Sequence, residues 1–355
     1  MSASLPSNTT ETLENLSDDA LQDYLLQGVS RTFALTIPQL PAALAKPVAN
    51  AYLLCRIVDT IEDEVALTAQ QKRWYCHRFA HVVRGQRPAL VFTQQLAPLL
   101  SDKTLPAEHE LILLIPRVIA ITHQFDAEQQ DALACCVEIM AKGMAEFQDK
   151  DLSRGLANLE QMNQYCYYVA GVVGEMLTRL FCHYSPQIAA HRDIMMKLAV
   201  SFGQGLQMTN ILKDLWDDHD RGVCWLPQDI FDLTGGFPLA ELHPDHHDPR
   251  FRAGFERLIA IAHGHLRDAL QYTLLIPPHE NGMREFCLWA LGMAVLTLRK
   301  IASNPDFSTS SQVKITRRAV KATIFTSRLL RGSNTGLKAA FAIASTGLPR
   351  ALVTT

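Results

Sequence analysis

The sequence predicts an all-α fold: one helical bundle of about ten helices that surrounds a central apolar cavity. Apolar residues recur at helical spacing along most of the chain, and the alternating patterns of β-strands are scarce. The chain has 355 residues, of which 48% are hydrophobic, so it can bury one large core. No repeat of fixed period and no shift in composition indicates a second domain.

The helices follow from their start signals and their periodicity. Ser17 and the two aspartates after it are typical of the cap of a helix that continues to Gln27. Pro38, Pro41 and Pro47 predict a break before a helix from about 48 to 65. Further helices are predicted at 71–83, 88–99, 107–123, 128–149, 156–183, 190–219, 251–275, 282–303 and 312–331.

The remaining segments are expected to lack long helices or to lie outside the bundle. Residues 1–15 are expected to be disordered, and 221–250 to form a loop with one short helix. The helical body is expected to span 16–335, and 336–355 to form a C-terminal helix or tail. Because the last segment is apolar but contains Lys338 and Arg350, it is expected to pack on the body or to lie on a membrane surface.

Composition excludes several classes of protein. The net charge of −3 gives no basic footprint for nucleic acid. The eight cysteines include no Cys-x-x-Cys pair and mostly lie in apolar stretches, so buried reduced thiols are predicted rather than disulfides or zinc ligands. The N-terminal residues lack the features of a secretory signal, and no uninterrupted apolar stretch is long enough to span a bilayer. We expect a cytoplasmic protein, with peripheral contact to a membrane surface as an alternative.

Two acidic clusters carry the main functional signal. Asp59, Glu62 and Asp63 are spaced i, i+3, i+4, and Asp214 begins a second cluster of the same spacing that ends at Asp218. On a helix, such residues lie on one face. Carboxylates embedded among apolar residues need a cation, and Mg²⁺ takes a few carboxylates and completes its shell with phosphate oxygens. The clusters therefore predict two walls of a cavity for Mg²⁺ and a diphosphate, although a solvated acidic face explains either cluster alone.

Other polar groups accompany the acids. Tyr52 and Arg56 precede Asp59 on the same predicted face. The second cluster is preceded in the same way by an amide–cation series of Gln207, Asn210 and Lys213. Hydroxyl and basic groups that suit phosphates occur at Ser30, Arg31 and Thr32, and at Lys314, Arg317, Arg318 and Lys321.

The predicted helix 156–183 contains Tyr165, Tyr167 and Tyr168, followed by Gly171 and Gly174. Two glycines in one turn cost helix stability, so they indicate close approach by another helix or by a ligand. An ordinary packed core is the alternative. The histidine-rich loop at 243–248 lacks regular ligand spacing, and Gly203-x-Gly205 follows no strand, so neither is assigned a metal or a dinucleotide.

Four strings together resemble the squalene synthase branch of the squalene/phytoene synthase family. They are Ser30–Phe33, Tyr52–Asp63, Tyr165–Gly174 and Gln207–Asp218, and their order and spacing fit across about residues 25–330. The resemblance implies an isoprenoid synthase fold without the C-terminal membrane anchor of the animal enzymes.

The resemblance also implies an activity. Two farnesyl diphosphates would be joined head to head to presqualene diphosphate, which NADPH would reduce to squalene. Mg²⁺ would be held by Asp59, Glu62, Asp63, Asp214 and Asp218, of which the four aspartates would be catalytic together with Tyr165. Contact with a membrane surface would serve product release.

The resemblance places further residues in binding roles. Substrate binding would involve Ser30, Arg31, Phe33, Tyr52, Arg56, Gln207, Asn210 and Phe286. Cofactor binding would involve Arg31, Arg56, Lys213, Lys314 and Arg317.

Several alternatives stay open. A dehydrosqualene- or phytoene-type synthase, or one that forms hydroxysqualene, would share the acidic motifs and omit the hydride step. A non-catalytic isoprenoid-binding protein would keep an apolar pocket without needing two metal-binding faces. A redox di-metal bundle would need Glu-x-x-His pairs, and none lies near either acidic cluster.

Overall fold

The computed structural model describes residues 13, 15–30, 32–147, 150–244 and 248–350. Over these ranges the chain is helical and forms no strand beyond an isolated bridge between Leu156 and Pro227, which confirms the all-α prediction. The predicted disordered N-terminus lies almost entirely outside the described residues.

The chain divides into two compact units. Unit 1 comprises Met1–Asp149 and Arg179–Tyr184, and unit 2 comprises Lys150–Thr178 and Ser185–Thr355. The helices of the first 149 residues are α1 (Asp18–Val29), α2 (Phe33–Thr36), α3 (Ala42–Asp63), α4 (Ala69–Val83), α5 (Ala89–Leu96), α6 (Pro106–Leu113), α7 (Ile115–Thr122) and α8 (Ala127–Ala145).

The later helices include the two longest in the part of the chain that is described. They are α9 (Leu159–Cys166), α10 (Val172–Tyr184), α11 (Pro186–Ala189), α12 (Arg192–Lys213), α13 (Leu215–His219), α14 (Gln228–Leu233), α15 (Pro249–Leu275), α16 (Asn281–Ser303), α17 (Ser310–Val313), α18 (Arg317–Leu330) and α19 (Asn334–Ala344). Residues 221–244 thus contain one short α-helix, α14, as the sequence predicted, with a 3₁₀ turn at Leu239–Glu241.

Helix α3 is the central helix of unit 1 and packs against α1, α4 and α8. Its inward face is fully buried at Leu53, Ile57 and Ile61, which fall at i, i+4 and i+8. The predicted start near residue 48 was wrong, because α3 begins at Ala42 and contains Pro47. Proline removes one helical hydrogen bond near this end, but Pro47 itself is buried, so packing stabilises a helix that local sequence would have interrupted.

A second boundary was wrong in unit 1. The predicted helix 107–123 is two helices, because the chain bends at Leu114, with φ −95° and ψ 9°. Pro116 is in the first turn of α7 and has no N–H to continue the hydrogen-bond ladder of α6.

Unit 2 is organised around the pairing of α12 with α15, and α12 also contacts the tyrosine-bearing segment. A Cβ atom at Gly203 would lie 2.3 Å from the carbonyl oxygen of Ala170, and one at Gly174 would lie 2.4 Å from that of Ala199. These glycines therefore permit close contact between backbones. The prediction of a close approach is confirmed, and the approaching group is another helix.

The predicted helix 156–183 is interrupted by a π-helical turn over Tyr167–Gly171, between α9 and α10. A π turn inserts an extra residue, which rotates everything after it around the helix axis. The buried face of this segment therefore contains Met162 and Cys166 before the π turn, and Val172 and Met176 after it. Val169 and Val173, which unbroken helical spacing from Met162 and Cys166 would place on this face, are only half-buried.

The cysteine prediction is confirmed over the described residues. All eight cysteines are free, and seven of them are buried, with Cys135 half-buried. Burial raises the pKa of the Cys76 and Cys287 thiols to about 12, so these groups stay protonated near neutral pH.

One helix of the described chain, α16, is long and apolar enough to cross a membrane by length and composition. Its most apolar window has a mean hydropathy of 1.4 and is 56% buried within the protein. Two ionisable residues, Arg284 and Glu285, are also buried near its start. A core helix has the same length and composition, so this is weak evidence for a membrane span.

Candidate active site

The first acidic cluster lies on the polar face of α3 in unit 1. Tyr52, Arg56, Asp59 and Asp63 follow one another at helical spacing along this face, as predicted. The Arg56 guanidinium lies 3.8 Å from Asp59 Oδ2, and each side chain is 28% exposed. The acids on α3 thus accompany a partly buried cation rather than a solvated mixed-charge surface.

Sequence reasoning missed the main partner of this cation. Glu108, in the first turn of α6, forms an ion pair with Arg56, in which Arg56 Nη2 lies 2.9 Å from Glu108 Oε1. The Glu108 side chain is only 14% exposed. The Arg56 Nε atom is buried and has no hydrogen-bond partner among the described residues. Since Glu108 lies more than forty residues beyond the acidic cluster in a helix of ordinary composition, no local pattern indicated it.

Arg56 compensates the negative charge of the Asp59 carboxylate only in part. Burial raises its pKa to about 7, and repulsion from Asp63 and Glu108 adds to this, whereas Arg56 opposes it. A half-buried carboxylate that is repelled by its neighbours in this way favours the approach of a cation. Asp59 therefore has the electrostatic environment expected of a cation ligand.

The end of α3 separates the candidate ligands from a structural acid. Asp63 is exposed and Glu62 is half-buried, so both remain accessible. The next residue, Glu64, is 2% exposed and accepts hydrogen bonds from the backbone N–H groups of Ala66 and Ser101, at 2.8 and 2.9 Å. Burial acts to raise the pKa of Glu64, but these bonds and one from Thr104 lower it to about 2. Glu64 thus fixes the loop after α3 rather than extending the acidic patch.

Hydroxyl and aromatic groups lie beside Tyr52. The Phe33 and Tyr52 ring centroids are 4.9 Å apart, and the Tyr52 hydroxyl donates to the Val29 carbonyl oxygen at 3.4 Å. Ser30 Oγ accepts from the Phe33 N–H at 3.0 Å, which fixes the turn between α1 and α2. The structure therefore brings Ser30, Phe33 and Tyr52 together, whereas Arg31 lies outside the described residues.

The second acidic cluster lies at a helix junction in unit 2. The predicted continuous helix 190–219 was wrong: α12 ends at Lys213, and Asp214, with φ −94° and ψ 13°, separates it from α13. The i to i+4 hydrogen bonds nevertheless continue, from Asp214 N to Asn210 O at 2.8 Å and from Asp218 N to Asp214 O at 2.9 Å. The two aspartates therefore keep helical spacing across the junction.

Each of these aspartates has one basic neighbour. Lys213 Nζ lies 3.1 Å from Asp214 Oδ2, and Arg221 pairs with Asp218. Burial still raises the pKa of both carboxyl groups, although Lys213 and Arg221 oppose it. Asp218 is 8% exposed, whereas Asp217 on the same short helix is exposed.

The junction is held in place by α13. The Trp216 indole N–H donates to the Phe307 carbonyl oxygen at 2.6 Å, and both residues are buried. Because α13 has only five residues, this long-range bond matters for its position.

The carboxylates fit Mg²⁺ in number and chemistry, but not as a closed protein cage. Among the described residues, no three histidine, cysteine, aspartate or glutamate side chains converge on one point. Mg²⁺ usually takes one or two carboxylates and completes its octahedral shell with water and substrate phosphates. Each acidic cluster, taken by itself, provides a pair of aspartates four residues apart, which suits this open type of coordination.

Tyr165, near the end of α9, has a partner that the sequence did not indicate. Its ring stacks on that of Trp225, with centroids 3.7 Å apart and planes 13° apart, and Tyr165 is 7% exposed. The two neighbouring tyrosines make different contacts. The Tyr167 hydroxyl donates to Glu175 at 3.0 Å, and the Tyr168 hydroxyl accepts from Gln164 at 3.1 Å.

The segment that contains Trp225 is fixed by backbone hydrogen bonds. Leu156 N–H donates to Leu226 O at 2.9 Å, and Gln228 N–H donates to Leu156 O at 2.8 Å. Gly155 has φ +85°, and a Cβ atom there would lie 2.5 Å from Leu226 O, so only glycine permits this approach. These contacts fix the backbone next to Trp225, which follows Asp218 closely in the sequence.

The remaining predicted site residues occupy varied environments. Phe286 is 6% exposed on α16. Gln207 is half-buried and Asn210 is exposed on α12, where Lys213 Nζ lies 3.4 Å from Asn210 Oδ1. Lys314, just after α17, and Arg317, the first residue of α18, are both exposed. The histidine-rich loop falls partly outside the described residues.

Comparison with known proteins identifies the relatives of this chain. The model of the squalene/phytoene synthase family matches residues 26–319. The squalene synthase ERG9 of Candida albicans is 29% identical over 315 residues, covering 87% of this chain and 67% of the relative. The squalene synthase of Cyberlindnera jadinii is 27% identical over 312 residues, covering 87% and 67%.

Solved structures show the same fold. A complex of TcSQS with the ligand BPH1237 has a TM-score of 0.75 at 23% identity, covering 94% of this chain and 93% of that chain. A dehydrosqualene synthase in complex with a ligand has a TM-score of 0.62 at 20% identity, covering 90% and 97%.

Proposed function

The chain belongs to the squalene/phytoene synthase family and is a prenyltransferase-type enzyme of isoprenoid biosynthesis, and within this family we propose that it is a squalene synthase. In this proposal it condenses two farnesyl diphosphates head to head into presqualene diphosphate. It then reduces presqualene diphosphate to squalene with a hydride from NADPH.

One observation carries the proposal. Two aspartate pairs, Asp59 with Asp63 and Asp214 with Asp218, recur at i, i+4 in otherwise apolar helical segments. Burial raises the pKa of Asp59, Asp214 and Asp218, and the neighbouring cations Arg56, Lys213 and Arg221 only partly oppose it. Groups of this kind suit the cation that accompanies a diphosphate.

The acidic residues would hold Mg²⁺ on the diphosphate. The proposed ligands are Asp59, Glu62, Asp63, Asp214 and Asp218. When bound, Mg²⁺ would supply the charge neutralisation that a departing diphosphate needs. In this proposal Arg56 contributes a further positive charge near Asp59 while Glu108 orients its guanidinium.

Tyr165 is proposed to act in the first half-reaction. Joining the two allylic chains generates a cationic carbon skeleton that must lose a proton to form the cyclopropane ring. A phenol can move a proton, and its ring face attracts positive charge. Tyr165 is only 7% exposed and its ring stacks on Trp225, so little water reaches the ring. Excluding water matters because water would quench the cation.

NADPH use is proposed from the basic groups near α18. Arg317 is the first residue of this helix and Lys314 lies three residues before it. Both are exposed, and no ion pair joins either to a carboxylate in the described chain. Such groups fit the phosphates of a dinucleotide, whereas Arg56 and Lys213 already contact carboxylates. When bound, NADPH would supply the hydride of the second half-reaction.

A product analysis tests the proposal. Purified protein would be incubated with farnesyl diphosphate and Mg²⁺, with and without NADPH, and the lipid products separated and identified. We expect squalene only when NADPH is present. Dehydrosqualene or hydroxysqualene irrespective of NADPH would assign the chain to another branch of the family, and no diphosphate release at all would refute the synthase assignment.

Matched variants test the acidic residues in the same assay. Asp59→Asn and Asp214→Asn are expected to abolish nearly all Mg²⁺-dependent diphosphate release. Asp217→Asn removes an exposed carboxylate from the same short helix as Asp218 and is expected to retain activity. An active Asp59→Asn, Asp214→Asn double variant would contradict the proposed ligands.

A further inference from the structure

The C-terminal part of the chain has a charge distribution unlike the rest. After Asp306 the sequence contains no aspartate or glutamate and eight lysine or arginine residues. The whole chain has a net charge of −3, so the preceding 306 residues have a net charge of −11. A block of one sign in an otherwise acidic protein indicates an anionic partner.

Helix α18 is fixed to unit 2 by one face. Arg328 Nε lies 3.2 Å from Glu285 Oε2, and Arg331 pairs with the same carboxylate, which is buried on α16. The buried Arg284 donates to the Arg331 carbonyl oxygen at 2.7 Å. The end of α18 is thus held by several charged groups, so the orientation of its other face is defined.

The opposite face of α18 combines cations with large apolar side chains. Lys321, Phe325 and Leu329 follow one another at i, i+4 and i+8, and Arg318 lies one turn before Ala322 on the same side. Phe325 is 69% exposed and Leu329 is 71% exposed. No described carboxylate forms an ion pair with Arg318 or Lys321. These four residues, Arg318, Lys321, Phe325 and Leu329, are called the α18 outer face.

Helix α19 continues this character. It contacts α15, α16 and α18, and its Leu337 is 4% exposed. Its outward residues include Lys338, which is exposed, and Ile343, which is 71% exposed. Two adjacent helices therefore both present apolar and basic groups to solvent.

We propose that the α18 outer face is a docking surface for an anionic lipid membrane, on which α18 lies parallel to the bilayer plane. A helix with Phe and Leu on one face and flanking Lys and Arg residues inserts its apolar groups at the headgroup boundary, while its cations contact anionic headgroups. Nucleic acid would pair with the cations but would leave Leu329 exposed. The assignment depends only on this surface and is independent of the reaction that the enzyme catalyses.

Vesicle binding of the full-length protein tests the proposal. Co-sedimentation would be measured with vesicles of phosphatidylcholine alone and of phosphatidylcholine mixed with phosphatidylglycerol. We expect binding to the anionic vesicles, weakened by salt, and little binding to the neutral ones. The Arg318→Gln, Lys321→Gln double variant should bind on the order of 30-fold more weakly, since each cation near an anionic surface is worth about 1 kcal/mol.

Control variants separate this face from general surface properties. Arg192→Gln, Lys197→Gln makes the same charge change on the exposed start of α12 and should bind like the parent. Phe325→Ser, Leu329→Ser should weaken binding at least about tenfold. Leu233→Ser, which removes an exposed leucine on α14 (82% exposed), should not. Circular dichroism would verify that each variant keeps its helices.

Three results would overturn the proposal. They are equal binding of parent protein to neutral and anionic vesicles, equal loss of binding in the α12 and α18 charge variants, and no binding to either vesicle. Analytical ultracentrifugation adds a fourth. If Phe325→Ser, Leu329→Ser converts a dimer into a monomer without changing vesicle binding, the α18 outer face contacts a second copy of the chain instead.

Discussion

Trp225 lies flat against Tyr165, with ring centroids 3.7 Å apart and ring planes 13° apart. The two rings come from segments separated by about sixty residues, which backbone hydrogen bonds between Leu156 and residues 226 and 228 bring together. The stacking fixes the plane of the phenol that we assign to the first half-reaction. Trp225 therefore acts as a positioning residue in this proposal.

Replacing Tyr165 with phenylalanine tests the role of the phenol. Tyr165→Phe retains the ring that stacks on Trp225 but removes the hydroxyl group, so the fold should be unchanged while presqualene diphosphate formation is lost. Product analysis without NADPH, together with the melting temperature, would measure both effects. Normal presqualene diphosphate formation by this variant would contradict the proposed role.

Replacing Trp225 tests the stacking. An aromatic pair is worth about 0.5–1.5 kcal/mol beyond its buried area, so Trp225→Leu should lower kcat for the first half-reaction by up to about tenfold. Trp225→Phe keeps an aromatic ring and should lose less. If both variants have the parent kcat, Trp225 has no positioning role, and if both lose activity only in proportion to unfolding, its role is structural.

Glu108→Gln tests how Arg56 is held. The change removes one charge from a 2.9 Å ion pair in which Glu108 is 14% exposed, so unfolding should become easier by about 1–2 kcal/mol. We also expect a higher KM for farnesyl diphosphate, because the Arg56 guanidinium is no longer oriented. Chemical denaturation and steady-state kinetics would measure the two effects. Glu160→Gln, at an exposed position on α9, is the control and should change neither quantity.

Gly203→Ala tests the close packing of α12. The added methyl group would lie 2.3 Å from Ala170 O and 2.7 Å from Gly171 N, and overpacking of this kind typically costs about 1–3 kcal/mol. Gly264→Ala is a matched control, because it is also in a helix but its Cβ would meet nothing within 4 Å. That variant should be neutral or stabilising by up to about 1 kcal/mol. Equal melting temperatures for the two variants would refute this explanation of Gly203.

His183 predicts a pH dependence of stability in unit 1. Its imidazole contacts Asp126 at 2.9 Å and Glu128 at 3.1 Å, and the hydrogen bond to Asp126 is the largest cause that raises the His183 pKa above its ordinary value of 6.5. A group whose pKa is raised by folding stabilises the folded state fully below its unfolded pKa. That stabilisation is lost as the pH rises through the higher, folded-state pKa.

The comparison with His183→Gln measures this contribution. The parent should be more stable than the variant at about pH 6, and the difference should disappear by about pH 8.5. Since the His183 side chain is 34% exposed, solvent screening limits the difference to roughly 0.5 kcal/mol. A difference that grows with pH would contradict the assignment of the ion pair.

Sequence patterns determined the fold class and the chemically important residue types. Helical periodicity was sufficient for the all-α prediction, because it depends only on which residues are apolar along one helix. Acid spacing within one helix likewise placed Asp59 and Asp63 on a common face. Apolar surroundings correctly predicted buried thiols, and two glycines within one turn correctly predicted a close helix approach at Gly174.

Only the tertiary structure decided the details that depend on contacts between distant segments. The π turn at Tyr167–Gly171, the junction at Asp214 and the retention of Pro47 within α3 all arise where packing outweighs local preference. The partners Glu108 and Trp225 have no local signature, because an ion pair or a stacked ring is defined by position in space rather than by spacing along the chain. Local sequence patterns thus predicted the fold class and the residue types that carry the chemistry, whereas tertiary packing decided where several helices begin, break and end and how each functional side chain is oriented.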